Sequence, residues 1–228
     1  MSLALYDTIK TVKASLTWPV KNEREDSTPG PLANALSIQT DPVARRHTIY
    51  LPNHLDAVPP LDYLHELVHA KLAEKAHPQL SSQYFAADIP QEAIDLVFPA
   101  SVAAADWFVD EALHTLAAAP LEAQIAEDHA VMQRALSSRT RPIPPLDFLA
   151  YALAVAQVER YCRIRTEPRG PLATAVAAFQ AVPPDTPSLG AITDLTNRLL
   201  RLYAPLAVEA INEDGVDVWV VEYTRARA

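Results

Sequence analysis

Prolines divide this chain. Twenty of them, against only four glycines, stand among stretches rich in alanine and leucine. A proline removes a backbone donor and clashes with the preceding turn, so each marks a place where a helix starts, bends or stops. Their spacing predicts helices near residues 60–76, 90–98, 100–118, 120–138, 145–164, 171–181 and 188–211, after an amphipathic first helix in "MSLALYDTIKTVKASLTW". "ANALSIQT" and "RRHTIYLP", joined at Asp41-Pro42, read as a short antiparallel hairpin with His47, Ile49 and Leu51 on one face. The preceding "KNEREDSTPGP" reads as a loop, and "VDVWVVEYT" reads as a closing strand from its β-branched and aromatic content. The expected class is α+β, predominantly helical. Residues 1–119 form the expected core and residues 120–228 a helical extension whose last strand can rejoin the sheet; at 228 residues a single domain is the other arrangement available.

Charge and cysteine usage narrow the function classes. A formal net charge of −9 works against nonspecific binding to nucleic acid or anionic lipid, both of which depend on a positive surface. The longest apolar runs, such as Phe148 to Val155, fall well short of the roughly 20 residues that cross a bilayer, so no membrane span is expected. Asp7 and Lys10 interrupt the stretch that a secretory signal would keep apolar. Cys162 is the only cysteine, so no internal disulfide can form; this suits a reducing compartment, and a cytoplasmic location is expected. In a helical stretch, Cys162 reads as a small core residue.

Residues 61–72, "LDYLHELVHAKL", contain His65-Glu66-Leu67-Val68-His69. Four residues of helix turn through about 400°, so His65 and His69 project from one face, a turn apart, and both imidazoles can reach one ion. Glu66 lies one step round, beside such an ion and outside its coordination positions. From there it can take a proton from metal-bound water, the general-base role in H-E-x-x-H hydrolases. The competing reading is a buried helix that happens to carry two histidines, and a third ligand decides between them. The candidate is in "AAADWFVDEALHTL", where Asp106 and Asp110 are four apart and share a face. Asp106 would bind the metal while Asp110 accepts the free N–H of His65 or His69 and fixes its tautomer. Glu111 is the rival ligand, pointing roughly 140° away from Asp106.

From "TIYLPNHLD" through "LDYLHELVHAKL" to "DWFVDEALHTLAAAP", roughly residues 46–120, the chain resembles the ImmA/IrrE-like metallopeptidases. That resemblance implies a minimal zincin-like core: a short sheet, an H-E-x-x-H helix and a second ligand-bearing helix. It also implies Zn2+ held by His65, His69 and Asp106, the last in place of the family's usual Glu, with Glu66 as base. The expected activity is hydrolysis of a peptide bond in a protein or peptide substrate, with strand 46–51 as an edge that an extended peptide can join.

Two other readings use the same residues. Glu66-x-x-His69 and Glu111-x-x-His114 together form the paired Glu-x-x-His signature of di-iron carboxylate bundles, a reading that leaves His65 without a role and meets breaks at Pro90 and Pro99. A zincin-shaped scaffold that binds partners without catalysis is the third. Outside the site, His114 can stabilise an oxyanion or serve as a structural histidine, and Tyr151 and Tyr161 can reach the cleft or pack in the core.

Overall fold

A computed structural model describes residues 3–25, 36–137 and 142–224. It is α+β, with six helices and two small sheets among the described residues. Helix α1 (Leu3–Ser15) leads into β1 (Val20–Glu25), β2 (Ser37–Asp41) and β3 (Arg46–Pro52). Then follow α2 (Pro60–Lys75), a 3-10 turn (Pro78–Leu80), the long α3 (Gln91–Ser137), α4 (Pro145–Arg160), α5 (Pro171–Gln180) and α6 (Leu189–Leu200). Strands β4 (Leu206–Glu213) and β5 (Val216–Tyr223) close the chain.

The prolines act largely as the sequence suggests. Pro60, Pro145 and Pro171 open α2, α4 and α5, where a missing N–H costs nothing because the first turn leaves its donors unpaired. Pro99 departs from the expectation. Residues 90–98, 100–118 and 120–138 were expected as separate helices, but α3 runs unbroken through Pro99. The carbonyl that loses its partner there belongs to Asp95, which is exposed and can bond to water instead. The chain does bend before Pro120: Ala117 leaves helical geometry (φ −149°, ψ 52°), which places the proline in the first turn of a new segment. Residue 138 lies outside the described residues.

The first sheet has the order β1-β3-β2. The β2–β3 hairpin is antiparallel as expected, pairing Ile38 with Ile49, and Asp41 shapes its turn by accepting the Val43 and Ala44 N–H groups. The part of "ANALSIQT" before Leu36 lies outside the described residues. The segment read as a loop supplies β1, which pairs parallel to β3 with Val20 opposite His47; residues 26–31 of that stretch lie outside the described residues. β1 is short and heavily charged, a composition suited to an exposed edge and misleading in isolation. Its addition makes β3 the central strand, so residues 46–51 do not form the expected edge; β1 and β2 are the edges.

A second correction concerns the C-terminus. Residues 206–211 belong to β4, not to a helix reaching 211, and β5 does not rejoin the first sheet. The two strands form their own antiparallel hairpin across Asp214-Gly215, both with positive φ (51° and 85°), the conformation that a two-residue turn requires. Trp219 of β5 is fully buried and exchanges backbone bonds with Tyr84 and Ala86 in the segment after α2.

One buried apolar cluster extends from Val12 to Trp219 and includes residues of every helix. Helix α2 is its axis: Leu64 through Ala70 are all buried. An amphipathic surface helix would turn polar residues to solvent. This one encloses its histidines and glutamate, so each needs a partner.

A second polar group ties α2 to the sheet. His47 on β3 is fully buried, with Nδ1 2.8 Å from Thr40 Oγ1 and Nε2 3.2 Å from Glu74 on α2. Glu74 also accepts from the Thr17 and Trp18 N–H groups after α1. Burial lowers the His47 pKa, outweighing the pull of Glu74. Burial alone would raise the Glu74 carboxyl, but its hydrogen bonds, led by Thr17, bring it below the usual range. Both groups therefore bind protons less readily in the folded chain than in the unfolded one. Their contribution to stability is complete above the unfolded values, about 6.5 for His and 4.3 for Glu, and is lost as pH falls through the folded ones. The raised pKa of His65 works in the opposite sense over this range, so the expectation is a difference: between about pH 7 and pH 5 the metal-free wild type should lose thermal midpoint relative to metal-free His47→Gln. Equal slopes in circular-dichroism melts of the two proteins would contradict this assignment.

Candidate metal centre

Helix α2 presents His65 and His69 on one face, and α3 presents Asp106 and Asp110 opposite them. The two His Nε2 atoms are 3.1 Å apart. Asp106 Oδ1 lies 3.5 Å from His65 Nε2 and 3.3 Å from His69 Nε2. A tetrahedral ion with arms of about 2.0–2.1 Å separates neighbouring ligand atoms by about 3.3 Å, so this triangle matches three corners of such a site.

The hydrogen-bond partners show why these atoms need a cation. His69 Nδ1 lies 2.6 Å from the carbonyl oxygen of Leu80, which can only accept, so Nδ1 carries a proton. His65 Nδ1 likewise donates to Asp110 Oδ1 at 3.1 Å. In the neutral rings both Nε2 atoms then carry lone pairs, and these converge with a carboxylate oxygen. Three acceptors this close demand positive charge between them, whether protons or a metal ion. Without metal the demand falls on His65: burial opposes its charge, but hydrogen bonds and attraction from Asp106 and Asp110 prevail and raise its pKa well above the usual range. Burial would raise Asp106, yet its bonds to His65 and His69 hold it well below the ordinary carboxylate range. The donor set of two imidazoles and a carboxylate, with its tautomers fixed, fits a divalent metal ion.

Glu66 occupies the position that the helix predicts. It is 4% exposed, borders the same cleft and has no hydrogen-bond partner among the described residues. Burial raises its pKa despite attraction from His69 and His65. A carboxylate moved toward neutrality beside a cation site is suited to accept and return a proton.

Two supports have no counterpart in the sequence reading. Gln157, buried on α4, donates its side-chain N–H to Asp110 Oδ2 and so fixes the carboxylate that fixes His65. A lone glutamine in "LAYALAVAQVER" is the only trace of this in the sequence. The Leu80 carbonyl is backbone and leaves none. Its loop is held by buried Gln79, which bonds both the carbonyl and the N–H of Tyr84. If Asp110 orients His65, Asp110→Ala should weaken metal binding by about 10- to 100-fold while the fold persists. Competition against a chelating dye would measure this, and an unchanged affinity would rule it out.

Other expected residues lie elsewhere. Glu111 turns away from Asp106 and bonds to Arg160 (2.7 Å) and Tyr161 (3.0 Å). His114 bonds to Glu122 at 2.9 Å and stacks on Tyr161, so the second Glu-x-x-His does not join the cluster. Tyr161 is buried against Glu111, Tyr151 stacks on His129, and neither tyrosine borders the cleft. Cys162 is partly buried, its thiol 3.5 Å from the Glu122 carbonyl.

The cleft has a volume of about 450 Å³. The cluster and Glu66 form its polar floor, Leu36, Ser37 and Ile38 at the β2 edge line one side, and Val102, Leu121, Ile125 and Leu146 contribute an apolar wall. Asp62 and Asp128 also border it. Among the described residues, no helix is long and apolar enough to cross a membrane. In comparisons with family models, curated proteins and solved structures, nothing matches. The geometry by itself provides a cluster of His65, His69 and Asp106 that could hold a metal ion.

Proposed function

We propose that the chain is a zinc-dependent peptidase of the ImmA/IrrE-like, minimal-zincin kind, with β1–β3, α2 and α3 as its catalytic core. One observation carries the reading: three lone-pair atoms converge at tetrahedral spacing next to Glu66, a buried carboxylate with no partner. A metal-storage or purely structural site has no use for that fourth residue. Bound by His65, His69 and Asp106, zinc would supply Lewis acidity, polarising the scissile carbonyl and acidifying water.

The chain's own residues account for the remaining steps. Glu66 accepts the proton of the attacking water and returns it to the leaving amine. Asp110 and the Leu80 carbonyl hold the two imidazoles in register as charge shifts. The β2 edge gives an extended substrate a partner for its backbone, and the apolar wall takes side chains. The substrate is a peptide or protein segment, and the net charge of −9 works against nonspecific binding to nucleic acid.

Elemental analysis of purified protein, followed by peptide cleavage with and without chelator, tests the proposal. One zinc per chain and chelator-sensitive cleavage are expected. Two irons per chain would instead favour the carboxylate-bundle reading, and a zinc-loaded protein that cleaves nothing would favour a scaffold.

A further inference from the structure

The cleft holds more carboxylate than the metal reading uses. Asp62, in the first turn of α2, and Asp128, in the distal part of α3, both line it, and neither ligates nor orients a histidine. Gln124 reaches Asp62 at 3.5 Å. Among the described residues, Asp128 has no hydrogen-bond or ion-pair partner, and no lysine or arginine borders the cleft. Among those residues the pair therefore faces the cleft without a lysine or arginine as countercharge. Glu66, buried and unpartnered, borders the same space, so a segment on which it acts runs past the pair.

We propose that this cleft selects peptides carrying a lysine or arginine within about two residues of the scissile bond, the side-chain cation resting between Asp62 and Asp128. This deepens the peptidase reading and rests on it. The distance follows from helix geometry: Asp62 is one turn before Glu66, about 6 Å along the axis, a span that extended peptide covers in about two residues. The apolar wall fits the rest of such a side chain. Ile125, Asp128 and Met132 follow at helical spacing along one face of α3 and all line the cleft, so an aliphatic stem and its charged tip meet their complements on one stripe. The net charge of −9 draws cationic segments toward the molecule and repels acidic ones.

The test is a peptide series cleaved by the zinc-loaded full chain, in which one position near the cut is lysine or norleucine, the latter keeping the stem without the charge. The ratio of kcat/KM for lysine over norleucine should be on the order of 10- to 10²-fold, the range of a hydrogen bond to a charged group. Asp62→Asn and Asp128→Asn should each reduce that ratio. A ratio near one in the wild type, or a preference for acidic or apolar residues, overturns the proposal without reference to any variant. Should no peptide be cleaved, the peptidase reading fails, and fluorescence anisotropy with the same labelled peptides decides the inference separately. Lysine-selective binding that Asp128→Asn weakens would keep the cationic subsite, and equal binding of both peptides would end it.

Discussion

Replacing His69 with alanine should release the metal. The same holds for His65, because the proposed site draws on three protein ligands among the described residues, and each would supply a full coordination bond. If the roughly 10–16 kcal/mol of a four-ligand zinc site is shared among its ligands, losing one weakens binding on the order of 10²- to 10³-fold. Metal content after dialysis should then fall from one ion per chain to trace. Each variant leaves a different remainder. Without His69, the Leu80 carbonyl loses its donor in a buried loop, which adds a cost to the fold. Without His65, Asp110 keeps its bond to Gln157 but loses its cationic neighbour. Circular dichroism of both metal-free variants separates loss of ligation from loss of fold. His65→Ala is the sharper of the two, since a carboxylate-bundle site would not use His65. Full metal content in that variant would end the zinc assignment.

The parts of the site that could be read in the sequence are those fixed by helix periodicity. His65 and His69 share a face because they are four apart, as do Asp106 and Asp110, and Pro59-Pro60 marks where the first of the two helices begins. Which side chain of the second helix meets the first depends on packing between helices. The spacing offered Asp106 and Glu111 as rivals. The structure brings Asp106 to the histidines and gives Glu111 to Arg160, a partner 49 residues away. Gln157 was hidden for the same reason, since nothing local says that a glutamine on α4 will face Asp110. Leu80 contributes only a carbonyl, which every residue carries.

The fold shows the same division between local and distant signals. The β2–β3 hairpin joins neighbouring segments across Asp41-Pro42, and its register follows from the turn. β1 pairs with a strand some twenty-five residues on, and its run of charges resembles loop until β3 lies beside it. The β4–β5 hairpin was a different failure. Asp214-Gly215 between alternating residues is a strong hairpin signal, but the alanine and leucine content just before it suggested helix. Pro99 shows the limit of reading prolines as breaks: the cost of a missing hydrogen bond depends on whether water can reach the orphaned carbonyl, and exposure is a tertiary property.

Glu66→Gln should abolish hydrolysis while leaving metal binding and folding nearly intact. Glutamine keeps the volume of glutamate, and Glu66 is not part of the ligand triangle, so zinc affinity should change little. Folding should tolerate the change for a further reason. Burial raises the Glu66 pKa, so the charged form is disfavoured where it sits, and a neutral amide of the same shape removes that strain. The variant is therefore expected to melt no lower than the wild type. Activity should fall sharply, because an amide cannot accept the proton of the attacking water or hand one to the leaving amine. Removing a general base typically costs about 10²- to 10⁴-fold. Single-turnover cleavage by zinc-loaded wild type and variant, on a peptide taken from the lysine series, would measure the loss at matched metal occupancy. A variant that cleaves as fast as the wild type would exclude Glu66 as the base. A variant that has also lost its zinc would place Glu66 among the residues that build the site, rather than those that act within it.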